Sequence, residues 1–526
     1  MPNPLIALRR GAAIGAVAIL TATLAACGAP DEAGGSPATG GDLNLQFNGS
    51  PVSLNPALAA SGGSTVYTHL AYDPLIYLDS DGEYVPSLAE SWQYTNDDNT
   101  TFELVLRDGV EFASGAPLDA EAVKASMEYF LEAGGMMVPR VGPIESVEAV
   151  ADDTVHIHYS APYPDAPHSL TQYFQLGAII GPDGLADPDS LLTTSDGTGQ
   201  YIYDASRSVV DASYVYERNA NYWAPDAQMF DTVTVHVMAE PNAVLSAIST
   251  GQIDYAIGDR LTASAAEQAG LDVLTAPYYI WALQILDRDG ELNPALGDQR
   301  VRQAMQMALD RDAIVDAIGT EFAVKNGQVV NEGAQGYIPG LGEEHDVEAA
   351  KQLLAEAGYP DGFTLQLATT PSMDPQSVNA QAIASSLEQI GVTVDIVVES
   401  TGLPQMLQRS ESKEFEAMAL PVTGTHVGEA VQDLNGRLNL NPWQVTDPEV
   451  TELYNASLTA SEDERPQVFE QLNERWNELA WVLPVYAQQQ LFYVSDGVTN
   501  VVATAGNANP MPVGPAPEHV WQPATG

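Results

Sequence analysis

The stretch TVTVHVMAEPNAVLSAISTGQIDYAI, residues 232–257, alternates apolar and polar side chains, changes to helical spacing, then returns to a short apolar run. Alternation over Val233, Val235 and Val237 predicts a half-buried strand, because successive strand side chains point to opposite faces. Pro241 suits the first turn of a helix, where a missing N–H costs nothing, and Gly251 suits the turn that ends one. Strand, helix and strand in this order predict two parallel strands joined by a right-handed crossover. The same grammar recurs in FTLQLAT (363–369), a helix over Ala380, Ile383, Ala384, Leu387 and Ile390, then Gly391 and VTVDIVV (392–398). Two such units predict two α/β lobes.

Working outward, DLNLQF (42–47) alternates Leu43, Leu45 and Phe47 with polar partners and reads as another strand. SWQYTNDDNTTFELVLRDG (91–109) reads as two strands around a turn at Asn96–Asn99, with Phe102, Leu104 and Leu106 on one face. LDAEAVKASMEYFLEA (118–133) follows, with Asp119 as its cap and Val123, Met127, Phe130 and Leu131 as its apolar stripe. These pieces predict a small meander with a helix packed on it. No repeat of fixed period is present, and the alternation of strands and helices argues for a mixed α and β architecture.

The chain has 526 residues, 45% hydrophobic, enough for several domains with sizeable cores. Its formal charge is −52, from 19 basic and 71 acidic side chains. Such a surface repels phosphate backbones, so nucleic acid is excluded as a partner, and the acidity reads as a solvated face that keeps the protein soluble.

The first residues have the layout of a secretory leader: Arg9 and Arg10, an apolar run from Gly11 to Leu24, then small residues. LAACGAP (24–30) holds Cys27, the one cysteine of the chain. Leu24, Ala25 and Ala26 before it resemble the bacterial lipobox, which implies cleavage after residue 26 and a lipid on the Cys27 sulfur. Residues 1–26 are then a lipoprotein signal peptide and 27–41 a flexible tether rich in Gly, Ala and Pro. The expected location is extracytoplasmic, anchored to the cell membrane.

An enzyme needs a constellation of reactive groups, and the sequence has no G-x-S-x-G elbow, no H-E-x-x-H, no P-loop and no cysteine nucleophile in its body. No cofactor is expected. His156 and His158 in DTVHIHYSAPYP (153–164) share one strand face, as metal ligands do, but Val155, Ile157 and Tyr159 would fill the buried face and leave both imidazoles in solvent. No metal is assigned to them.

Several strings, in order, resemble the bacterial extracellular solute-binding proteins of family 5, the dipeptide and oligopeptide class. They are YDPLIYLDSDGEYVPSLAESW (72–92), TFELVLRDGVEFASGAPLDAEAVKASMEYF (101–130), GTGQY (197–201), ERNANYW (217–223), LSAISTGQIDYA (245–256), DQRVRQAMQMALDRDAIV (298–315), AAKQLLAEAGYPDGF (349–363) and LNERWNELAWVLPVYAQQQLFYV (472–494). The resemblance implies an α/β, two-lobed clamp of the periplasmic-binding-protein type (class II), with an additional domain inserted in the first lobe. Lobe I would comprise 42–66, 190–277 and 490–526, the inserted domain 67–189, and lobe II 278–489. The chain would cross between lobes in APYYIWALQIL (276–286) and VLPVYAQQQL (482–491).

By the same resemblance the protein is not an enzyme. The resemblance implies the substrate-binding component of an ATP-driven importer, expected to be a monomer that captures oligopeptides or peptide-like solutes and delivers them to the permease subunits. Alternatives are a non-peptide solute such as a sugar, opine or metal chelate, or a surface peptide receptor or chaperone without transport. Tyr279 and Trp281 lie two apart on one crossing strand and Tyr486 lies on the other, so these aromatics serve either hinge packing or ligand contact. The loop LPVTGTHVGEAVQDL (420–434) stands where peptide-binding relatives carry a Gly-Trp and then an Asp near a Pro, the Asp holding the ligand's α-amino group. Here Gly424, Thr425, His426 and Glu429 occupy the loop, and Glu429 is the candidate anionic partner. The alternative is a loop that does not touch ligand.

Overall fold

A computed structural model of the chain describes residues 40–60, 65–319, 322–504 and 507–524. The signal peptide, Cys27 and most of the tether lie outside the described residues. The strands of the large sheet are β1 Asp42–Phe47, β2 Tyr201–Tyr203, β3 Ser213–Arg218, β4 Thr232–Val237, β5 Tyr255–Gly258, β6 Asp272–Ile285, β7 Ala323–Lys325, β8 Thr364–Thr369, β9 Thr393–Val398, β10 Ala417–Val422 and β11 Val482–Val494. Five helices matter here: α1 Ala120–Ala133, α2 Pro241–Ser249, α3 Val378–Glu388, α4 Val427–Gly436 and α5 Arg465–Leu479.

The strand, helix and strand of 232–257 form as β4, α2 and β5, with Pro241 in the first turn of α2. The two strands are not neighbours, because β1 lies between them and pairs parallel with both. The second unit forms as expected: β8 and β9 are adjacent and parallel, from Thr364 opposite Thr393 to Thr369 opposite Val398. Each set buries its alternating side chains in its own core. Leu43, Leu45, Val233 and Val235 pack in the first, and Leu365, Leu367, Ile383 and Leu387 in the second.

Both sets belong to one sheet, in the order β9-β8-β10-β6-β11-β5-β1-β4-β3-β2, with β7 beside β11. Its two halves are fused by β6 and β11, which pair antiparallel from Asp272 opposite Val494 to Gln284 opposite Val482. The sequence reading separates the lobes and does not anticipate this shared sheet. The composition of β11 explains it: Val482–Ala487 and Leu491–Val494 are buried, while Gln488, Gln489 and Gln490 between them are half-buried. One apolar run packs into the cores of the second half and the other into those of the first, and the glutamine triplet spans the waist between them.

A third core fills a separate four-stranded antiparallel sheet ordered Ala89–Tyr94, Thr101–Leu106, Thr154–Tyr159, Ile144–Ala151. Phe102, Leu104 and Leu106 point into it, as their alternation predicts, and α1 lays Val123, Met127 and Phe130 on them. Asp119 caps α1 by accepting the Ala122 N–H at 2.9 Å, and Gly134 ends it in the left-handed region at φ +62°. Tyr67, Leu70 and Tyr72 pack in the first core, not in this one.

Candidate functional site

In an open sheet of parallel strands, ligands lie beyond the carboxyl ends of the strands. Those ends are Phe47, Val237 and Gly258 in the first half, for β1, β4 and β5, and Thr369, Val398 and Val422 in the second, for β8, β9 and β10. The pairings bring the two edges together at the waist. Gly258 lies opposite Leu491, Leu491 opposite Thr275, and Ile280, further along the same strand, lies opposite Val422.

Tyr279 therefore stands at this edge, half-buried, between a register shift at Pro277 and the end of β10. Its ring meets Tyr278 at 4.8 Å and Trp281 edge-on at 6.2 Å. Trp281 and Tyr486 are each only 2% exposed and belong to the second core. The Tyr486 hydroxyl donates to Asn379 Oδ1 at 2.7 Å, in the first turn of α3, which leads away from the carboxyl end of β8. The carboxylate of Asp374 fixes that turn by accepting the N–H groups of Asn379 and Ala380, each at 3.0 Å.

The loop after β10 is held by its own acid. Glu429 accepts from the Thr425 N–H and hydroxyl, both at 2.8 Å, and reaches Arg140 at 3.5 Å. Arg140 also meets Asp433 at 3.4 Å. In its neutral form His426 caps α4, accepting the Glu429 N–H at Nδ1, a bond its protonated form gives up; its Nε2 meets Asp165 at 3.2 Å in either form and its ring stacks on Phe469 at 4.8 Å. Arg465 completes the cluster, 3.5 Å from Asp165. Arg140 and Asp165 come from the segment carrying the small sheet, and the others from the second half, so this is a bridge of ions across the mouth.

The charges settle one another. Burial raises the Asp165 carboxyl, but the charge and hydrogen bond of His426, with Arg465, outweigh it and hold the group at about 2. Burial lowers the His426 imidazole, but Asp165 and Glu429 reverse that and the net shift is upward. Glu429 is likewise lowered despite burial, by the Thr425 N–H and by His426.

On the first half, a small cavity lies against β1, β4 and β5, lined by Gln46, Phe47, Tyr255, Phe492, Met511 and Trp521. Tyr255 stacks on Phe492 at 5.7 Å and meets Trp521 at 4.6 Å. Sequence reading missed this wall, because its aromatics, Phe47, Tyr255, Phe492 and Trp521, come from four distant segments. It also passed over Arg260, although the position just after β5 was readable from the strand, helix and strand pattern.

The structure thus brings Tyr279 and Tyr486 to one edge, seats Trp281 in the core behind them, and sets Thr425, His426 and Glu429 in the ion bridge. His156 and His158 each pair with a different acid, Glu103 at 2.9 Å and Glu148 at 3.4 Å. Among the described residues no group of three or more His, Cys, Asp or Glu side chains is arranged to hold a metal ion, and no helix is long and apolar enough to cross a membrane.

Residues 83–436 match the family described as bacterial extracellular solute-binding proteins, family 5 Middle. A glutathione-binding protein, GsiB, of Shigella dysenteriae serotype 1 is 25% identical over 398 residues, covering 74% of this chain and 73% of that protein. Among solved structures, the ABC transporter substrate binding protein CtaP of Listeria monocytogenes superposes with a TM-score of 0.77 at 20% identity, covering 93% of this chain and all of that one (100%). The binding protein DppA of Helicobacter pylori, in complex with the peptide STSA, gives 0.68 at 22% identity over 93% and 99% of the two chains.

Proposed function

Because this chain belongs to the bacterial extracellular solute-binding proteins of family 5, a family of binding proteins and not of enzymes, we propose that it captures a peptide or peptide-like solute between its two halves for an ATP-driven importer. The observation that carries the reading is the meeting of the two carboxyl edges at the waist formed by β6 and β11. Peptide and glutathione binding by the similar proteins supports the class of solute.

Mechanically, a solute that touches both edges is held only when the halves are close, and its differential affinity shifts the population toward the closed form. The closed shape is what a permease recognises. In this reading Tyr279, Trp281 and Tyr486 form the floor beneath the solute, and Thr425, His426 and Glu429 form one rim of its site. The borders expected for the two lobes and the insertion go with it, as does a monomer tethered to the membrane through lipid on Cys27.

Isothermal calorimetry with tripeptides, tetrapeptides and glutathione tests the reading. Binding of at least one class at micromolar concentration is the expected result. Heat from none of them, with binding of opines or sugars instead, overturns the peptide assignment.

A further inference from the structure

We infer that Arg260 anchors an acidic group of the solute, so that the site selects carboxylate-bearing ligands; the inference rests on the peptide reading above and specifies it.

The first observation is position. Arg260 is exposed and lies two residues beyond Gly258, the last residue of β5, on the carboxyl edge where the two halves meet. The loop that carries it is rigidly held. The Tyr493 hydroxyl donates to the Asp259 carbonyl at 2.6 Å, accepts the Asp259 N–H at 3.1 Å and lies 2.9 Å from the Thr262 hydroxyl. Gly258 itself runs under the Tyr493 ring, where an added Cβ would come within 2.7 Å. Burial raises the phenols of Tyr279 and Tyr486, and the positive charge of Arg260 is among the groups that pull both back.

The second observation is that this cation is free in a chain where cations are scarce. Among the described residues only two cationic side chains, Arg260 and Lys124, make no ion pair, hydrogen bond or aromatic contact. Lys124 lies on α1, away from the waist.

The third is that four acids at or near this edge are already engaged. Glu429 is held by Thr425 and Arg140, Asp165 by His426 and Arg465, and Asp374 by the start of α3. Glu399, just past β9, is bound by Arg409 at 2.8 Å. At those four places an incoming ammonium finds the counter-charge occupied, whereas an incoming carboxylate finds in Arg260 a planar guanidinium with all its donors available. Closure of the two halves over the solute would exclude water from such a pair and strengthen it.

The test is calorimetry on the full-length protein with trialanine, Ala-Leu-Ala and glutathione, each as free acid and as the amidated form. Arg260→Gln and Arg260→Lys are compared with the parent, and melting curves check that both variants are folded. The expected result is that the parent prefers the free acid by about ten- to a hundredfold, the range for a hydrogen bond to a charged group. Arg260→Gln should lose most of that preference while binding the amide as the parent does, and Arg260→Lys should keep part of it. A parent that binds acid and amide alike, or an Arg260→Gln variant that still prefers the acid, overturns the anchor and leaves the peptide reading standing. Absence of binding by every acid and every amide overturns the peptide reading and the anchor with it.

Discussion

Replacing Asp165 by asparagine removes the central anion of the bridge across the mouth without changing its shape. Its carboxyl is held at about 2 against an ordinary 3.8. At about 1.4 kcal/mol for each pKa unit, that depression is equivalent to about 2 kcal/mol of stability at neutral pH. The group is 28% exposed, so most of this survives solvent screening. A depressed carboxyl stabilises above its unfolded pKa and stops doing so as pH falls through its folded one. The contribution is therefore complete above about pH 4, about half remains near pH 3, and it vanishes below about pH 2. Urea unfolding followed by circular dichroism, on parent and Asp165→Asn, reads the difference directly. We expect a gap of about 2 kcal/mol near pH 6.5 that shrinks to about half near pH 3. A gap that is the same at both pH values, or smaller than about 0.5 kcal/mol at the higher one, would show that His426 and Arg465 do not hold this carboxylate as described.

Further outcomes are expected. His426 has a raised pKa, so its ionic contribution is complete below about pH 6.5 and fades as pH rises through the folded value; the gap in melting temperature between parent and His426→Gln should narrow from pH 6 to pH 9, and a widening gap would contradict the assignment. His168, which burial lowers, works in the opposite direction but is present in both proteins. Trp281→Ala, at a residue only 2% exposed, should destabilise by about 3 to 5 kcal/mol in urea. Tyr486→Phe, which removes only the bond to Asn379, should cost about 1 kcal/mol. Cys27→Ser should release the folded body into the soluble fraction of cells, and retention in membranes would remove the lipid anchor.

Periodicity carried most of the fold. The alternation at 232–237 and 364–369 and the stripe at 123–130 each became the element they predict, because each packs on a core with its own period. What periodicity does not record is neighbour order. Nothing in β1 says that it inserts between β4 and β5, and nothing short of the Gln488–Gln490 interruption says that β11 serves both halves at once. Charge records burial no better: Arg302 and Arg311 are both buried, donating to the carbonyls of Leu479 and Pro484 at 2.9 Å each. The site was legible as a place and less so as a set of groups. The crossing segments located Tyr279 and Tyr486, whereas the partners of Glu429 and His426 come from residues roughly three hundred positions upstream, a pairing no local pattern encodes.

The position of β11 in the chain bears on how the molecule is made. It occupies the middle of the sheet but is nearly the last long element to leave the ribosome, ending at Val494 of 526 residues. Until it arrives, β5 and β6 lack the neighbour they share and the two halves of the sheet cannot be joined. Structure that depends on so distant a partner forms late. For a member of an extracellular family, this order of elements defers the one pairing that joins the two halves until most of the chain has been made.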